Sequence, residues 1–105
     1  MMQKLAGAAC VLLAASSMAM AAGNPEAGRA KSEACLGCHG IPSYNNVYPT
    51  YHVPRLSGQH ADYIVAALKA YRDGQRDHAT MNAQVANMSD ADMADIGAFW
   101  EAQGK

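Results

Sequence analysis

At 105 residues the chain has room for one domain and too little length for two independent cores. Eight lysines and arginines against nine aspartates and glutamates give a formal net charge of −1, and without a basic patch to displace counterions from phosphate, nucleic acid is not an expected partner. Half of the residues are hydrophobic, yet no stretch stays apolar for the roughly 20 residues a membrane-spanning helix needs, so no stable membrane insertion is expected.

In chain order, Lys4 follows a short polar start, Leu5 to Ala15 is apolar, and Ala19-Met20-Ala21 offers small residues at the spacing signal peptidase accepts. Residues 1–21 are therefore predicted to be a secretory signal peptide cleaved after Ala21, with residues 22–105 forming the mature domain in the periplasm. An uncleaved anchor is one alternative. Lipidation at Cys10 is another, disfavoured because Gly7-Ala8-Ala9 lacks the usual leucine. Cleavage leaves about 84 residues, a size at which a hydrophobic core supplies only about 3–5 kcal/mol and small domains need an additional staple. Only Phe99 and Trp100 are aromatic residues other than tyrosine, so the core is short of large side chains.

Asn24-Pro25 is a helix start, since Asn caps orphan amides and Pro at the first helical position loses nothing by lacking an N–H. The first helix is predicted from Pro25 to about Cys35, with Ala27, Gly28, Ala30 and Ala34 allowing a close crossing. From Gly40 to Ser57 the chain carries Pro42, Pro49 and Pro54, Asn45 and Asn46, and three of its five tyrosines. That proline density forbids regular helix, and no alternating run predicts a strand here or elsewhere. A loop this long in so small a domain calls for something to wrap. Gly58 leads into a helix predicted over Gln59–Arg72, whose Ile64, Ala67, Leu68 and Tyr71 share one face, with Gly74 as its stop. Asp73–Thr80 is polar, a short helix is predicted over Asn82–Asn87, and Ser89 with Asp92 forms a capping box for a last helix burying Met93, Ile96 and Trp100.

Cys35-Leu36-Gly37-Cys38-His39 is a C-x-x-C-H haem-attachment signature. Two intervening residues put both sulfurs on one side of a helical turn, within reach of two vinyl groups on one porphyrin edge, and the next residue, His39, is then aimed at iron. Structural zinc would need four ligands, and the mature chain has no third cysteine. A thioredoxin-like dithiol would need a strand before it. A local disulfide is the plain alternative in an oxidising compartment. One covalent haem c also supplies the missing apolar body in the core.

A low-spin carrier needs a second axial ligand, and methionine sulfur is a soft donor that favours ferrous iron. Met93 shares the apolar face of the last helix, and Met88 sits at a helix junction. Met81 follows a polar stretch outside any apolar stripe and is the assigned ligand, with His78 as runner-up and His52 and His60 behind it.

On these motifs the mature chain resembles the small class I c-type cytochromes of bacteria, the monohaem type that also occurs duplicated as dihaem proteins. The residues carrying the resemblance are Gly28, Cys35 to Gly40, Pro54 to Gln59 with Tyr63, Gly74-Gln75-Arg76, Met81 and Asp92 to Trp100. The resemblance implies an all-α class I cytochrome c fold, about four short helices around the haem, with Gly28 crossing against Phe99. It also implies that the Pro54 carbonyl accepts a hydrogen bond from the proximal imidazole, and that Arg55 pairs with a haem propionate unless it is simply an exposed arginine. Two departures stand out: the loop from Ile41 to Tyr51 lacks the usual glycines, and Asn82-Ala83 replace the proline that often follows the ligand methionine.

The function expected is single-electron transport in the periplasm between redox proteins, such as a dehydrogenase and a membrane oxidase or reductase of a respiratory chain. No small-molecule substrate is expected, and no side chain is cast as acid, base or nucleophile, so the chain is not expected to be an enzyme. The alternatives are a haem subunit held in a dehydrogenase complex, with Tyr44, Tyr48 and Tyr51 either forming its interface or covering the porphyrin, and a gas sensor or peroxidase with an open iron position.

Overall fold

A computed structural model describes residues 23–104; the signal-peptide reading of residues 1–21 lies outside them. Five helices and one hairpin follow in order: α1 (Pro25–Lys31), α2 (Glu33–His39), β1 (Asn45–Val47), β2 (Thr50–His52), α3 (Ala61–Arg72), α4 (Ala79–Val85) and α5 (Asp90–Ala102).

The first helix starts where expected, with the Asn24 side chain accepting from the N–H groups of Glu26 and Ala27 at 2.9 and 3.3 Å. It does not end near Cys35. The chain tightens at Ser32, whose N–H is shared between the carbonyls of Gly28 and Arg29, and continues as α2 to His39. The signature therefore rides on a short helix of its own.

The core is Ile64, Val65 and Leu68 of α3, Val85 of α4, and Met93, Ile96, Phe99 and Trp100 of α5. α1 crosses α5 so closely that a side chain on Gly28 would overlap the Asp95 carbonyl and come within 2.9 Å of the Phe99 Cβ. α3 meets α5 at Gly97, where a Cβ would lie 2.9 Å from the Ala61 carbonyl oxygen. α3 has no capping side chain at His60; instead the Ala61 N–H donates to Glu101 Oε2 of α5 at 2.7 Å, a carboxylate at a helix N-terminus where the dipole favours it. Gly74, at φ +82°, follows the end of α3 in the left-handed region only glycine enters freely. Ser89 and Asp92 form the expected capping box, and Met93, Ile96 and Trp100 are buried.

Three further expectations are corrected. The stretch 40–57 contains an antiparallel hairpin pairing Asn45 with His52, Asn46 with Tyr51 and Val47 with Thr50, tied at its turn by Asn46 Nδ2 to the Pro49 carbonyl at 2.7 Å. Strands of three residues with polar alternation are too short to leave a periodic apolar signal. The short fourth helix starts at Ala79 rather than Asn82 and ends at Val85, because the Asn82 N–H already bonds the His78 carbonyl at 2.8 Å. α3 likewise starts at Ala61, two residues after the expected Gln59.

An ion cluster pins the α1–α5 crossing: Lys31 Nζ lies 2.9 Å from Asp92 and 2.6 Å from Asp95, and Asp95 also accepts from the Asn24 N–H at 2.8 Å. The Lys31 ammonium holds both carboxyls below their ordinary value of 3.8, helped at Asp92 by Ser89 and at Asp95 by Asn24. Since the native values are depressed, the unfolded chain takes up protons first as pH falls. The contribution is therefore complete above about pH 5 and is lost as pH drops through the native values, below about 4. Far-UV melting curves are expected to show a steeper fall in Tm between about pH 4 and 2 for the native chain than for Lys31→Ala; parallel curves would contradict this.

Candidate functional site

Cys35 and Cys38 stand three residues apart in α2, on the same side of a helical turn, and both are half-buried free thiols. Burial pushes the Cys35 thiol up, the reverse of the depressed pKa of a redox-active dithiol. His39 closes the helix, and its Nδ1 lies 2.7 Å from the Pro54 carbonyl oxygen. A carbonyl only accepts, so Nδ1 carries the proton in this contact and Nε2 is the nitrogen left with a lone pair. Trp100 lies edge-on to the His39 ring, with centroids 6.5 Å apart.

Cys35, Cys38, His39 and Pro54 border a cleft of about 430 Å³ that Met81 also borders. Its walls are mainly apolar, with Val53, Leu56, Ile64, Leu68 and Val85 among them, and the volume falls within the roughly 300–1,000 Å³ of cofactor clefts. Met81 is half-buried in the first turn of α4 and packs against the core, so it sits on the helix that was expected to begin only after it. Met88 borders the cleft too, while Met93 is fully buried in the core and does not.

Of the histidines weighed as ligands, His78 and His52 border the cleft and His60 does not. His52 Nδ1 is 3.2 Å from Asn45 Oδ1 across the hairpin, whereas His78 Nδ1 is buried without a partner among the described residues. Of the three loop tyrosines only Tyr51 borders the cleft. Its ring packs edge-on against His78 at 4.6 Å and its hydroxyl lies 3.2 Å from Thr80 Oγ1. Tyr48 is 93% exposed at the hairpin tip, so it does not cover the cleft. Arg55 is exposed at the cleft margin and makes no ion pair among the described residues. Sequence reasoning named Arg76 only within the family resemblance and gave it no role; it is a second guanidinium at that margin, stacked 4.7 Å over the Tyr71 ring.

Among the described residues no three His, Cys, Asp or Glu side chains gather as a metal site. The paired strands are a local antiparallel hairpin and not the βαβ unit a thioredoxin-like dithiol requires. The family model described as Cytochrome c matches residues 25–101. The chain belongs to the cytochrome c family.

Cytochrome c-554(548) of Halomonas halodenitrificans is 41% identical over 85 residues, spanning 78% of this chain and 99% of that protein. Cytochrome c4 of Pseudomonas aeruginosa is 34% identical over 102 residues, 97% of this chain and 49% of its own length. Among solved structures, the cytochrome c4 of Acidithiobacillus ferrooxidans superposes with a TM-score of 0.57 at 27% identity, covering 76% of this chain and 51% of that one. The chain thus spans about half the length of these c4 relatives and nearly all of the c-554(548) protein. It is a class I c-type cytochrome, a haem-based electron-transfer protein rather than an enzyme, and its cofactor is covalently bound haem c.

The residues present fit that cofactor. Two free thiols and an imidazole whose Nδ1 is held by the Pro54 carbonyl border one apolar cleft, together with a thioether. Imidazole nitrogens of His39, His52 and His78 and thioether sulfurs of Met81 and Met88 border the cleft, and nitrogen and soft sulfur donors are of the kinds that ligate haem iron. Among the described residues no helix is long and apolar enough to cross a membrane.

Proposed function

We propose that this cytochrome is an exported, periplasmic carrier of single electrons. In this reading residues 1–21 are removed and one haem is bound through thioethers of Cys35 and Cys38, with His39 and Met81 as axial ligands. The observation carrying it is that Cys35, Cys38, His39 and Met81 border a single apolar cleft, although Met81 is more than 40 residues from the signature in sequence.

Haem c, when bound, supplies a reversible one-electron ferric/ferrous couple. The chain's part is to hold that couple steady. Pro54 accepts the Nδ1 proton of His39, which fixes the imidazole's orientation and raises the basicity of Nε2. The apolar walls exclude water, so the charge change occurs in a surrounding that needs little reorganisation. Arg55 and Arg76, which border the cleft, would pair with the propionate carboxylates of the bound haem. Partners are other redox proteins, met through weak and brief encounters with small buried interfaces.

A second reading, a haem subunit held in a dehydrogenase complex, is favoured by the hairpin tip. Val47 and Tyr48 are 82% and 93% exposed, and residues 40–53 carry no lysine, arginine, aspartate or glutamate. Co-elution of the native protein with a large complex on gel filtration would favour this reading over a free shuttle.

The decisive experiment is intact mass together with a reduced-minus-oxidised spectrum of protein purified from a periplasmic extract. The expected mass is that of residues 22–105 plus one haem, with the sharp ferrous bands of a low-spin haem. A colourless protein with the mass of the bare polypeptide would refute the reading.

A further inference from the structure

Asn82 follows Met81 directly and spends its side chain on three backbone groups, one in the last turn of α3 and two in the connection to α4. Its Oδ1 accepts from the His78 N–H at 2.8 Å. Its Nδ2 donates to the Tyr71 carbonyl in the last turn of α3 at 2.8 Å and to the Arg76 carbonyl in the connection at 3.1 Å. This is the only amide orientation that works, since flipping it would set an oxygen against two carbonyls and a donor against an N–H. α4 has no capping side chain of its own at His78, so Asn82 satisfies that N–H from inside the helix. The Tyr71 carbonyl is one of the orphan acceptors at the end of α3. The turn between α3 and α4 is therefore closed around one half-buried amide.

The three anchored residues are also cleft residues: Tyr71, Arg76 and His78 all border it, as does Met81. None of the three bonds reaches α1 or α5, the helices whose crossing forms the other half of the domain.

We propose that Asn82 is a positioning residue for Met81, fixing the backbone from residue 76 to 82 against the end of α3 and so setting how firmly the thioether is presented to iron. This rests on the reading of Met81 as axial ligand given above. Without the amide the turn loosens locally, Met81 yields its position more easily, and the domain core is left as it was.

The test uses the ferric holoprotein with imidazole as a competing ligand, read by the loss of the near-infrared sulfur-to-iron band. Asn82→Ala removes all three bonds. Asn82→Asp, nearly isosteric, keeps the acceptor for His78 but sets a carboxylate oxygen against the Tyr71 and Arg76 carbonyls, so it is the harsher variant, and Asn82→Ala, which opposes no oxygen to them, guards against one that fails to fold. Both are expected to bind imidazole about tenfold or more tightly than the native protein, since each lost bond makes Met81 easier to displace. Asn87→Ala, exposed at the far end of the same segment, is expected to bind it as the native protein does. If the Asn82 variants lower Tm but leave imidazole affinity and the band unchanged, the role is purely structural and the proposal is overturned, with the Met81 assignment intact. If Met81→Ala itself keeps the band, the assignment of Met81 falls and the proposal falls with it.

Discussion

Exported chain in which Cys35 and Cys38 are both replaced by serine is expected to lose most of its helical circular-dichroism signal and to purify without haem. Serine is nearly isosteric with cysteine, so packing within α2 is not what changes. What changes is that no thioether forms, and the cofactor is then held only by its axial bonds and by the cleft walls.

The magnitude follows from the size of the cleft. At about 24 cal/mol for each Å³ of unfilled apolar volume, 430 Å³ corresponds to as much as about 10 kcal/mol. Entry of water from the open side and inward collapse of the walls make this an upper bound. Total stabilities of small domains lie at about 5–15 kcal/mol, so even half of that loss removes the folded state of a chain this short. The residues around the cleft show why collapse does not rescue it: Ile64, Leu68 and Val85 are held in one buried cluster with Met93, Ile96, Phe99 and Trp100, and the backbone contacts of Gly28 and Gly97 already have no slack. A double variant with native-like helicity and a cooperative melt in the absence of haem would overturn this expectation.

What was legible in the sequence is chemistry confined to a few neighbouring residues. The Asn24 and Ser89 caps are local side-chain to backbone bonds, and both are present. The apolar face of α5 follows from its spacing, and the cysteine pair with His39 from attachment geometry. The bond from His39 to Pro54 spans 15 residues and was foreseen only through family resemblance, because nothing in either segment alone announces it. Three features were out of reach. The hairpin at residues 45–52 has strands too short and too polar for a period to register. The Glu101 cap on α3 acts across 40 residues. Asn82 looked like a departure from the family pattern, yet its amide makes the bonds that begin α4 four residues earlier. In each case the stabilising partner comes from another element, and local propensity carries no record of it.

Met81→Ala is expected to abolish the near-infrared sulfur-to-iron band of the ferric protein, lower the midpoint potential, and let carbon monoxide bind the ferrous form rapidly. The potential falls because a soft thioether stabilises ferrous over ferric iron, and water or a nitrogen donor in its place does so less. Competing donors exist, since Met88, His78 and His52 border the same cleft. Met88 is the less available of the two methionines at the cleft: its N–H bonds the Val85 carbonyl at 3.0 Å, and its own carbonyl lies 3.4 Å from Arg72 Nη1. Arg72 is itself tied to Asp90 at 2.6 Å, so bringing Met88 forward would disturb the junction of α3 and α5. His78 is held edge-on by Tyr51, and as a ligand it would give a lower potential with no sulfur band at all. Met81→His then serves as the matched comparison: two nitrogen ligands, no band, a lowered potential, and slow rather than rapid uptake of carbon monoxide. Survival of the band in Met81→Ala together with its loss in Met88→Ala would transfer the role to Met88, and absence of the band from the native protein would transfer it to a histidine.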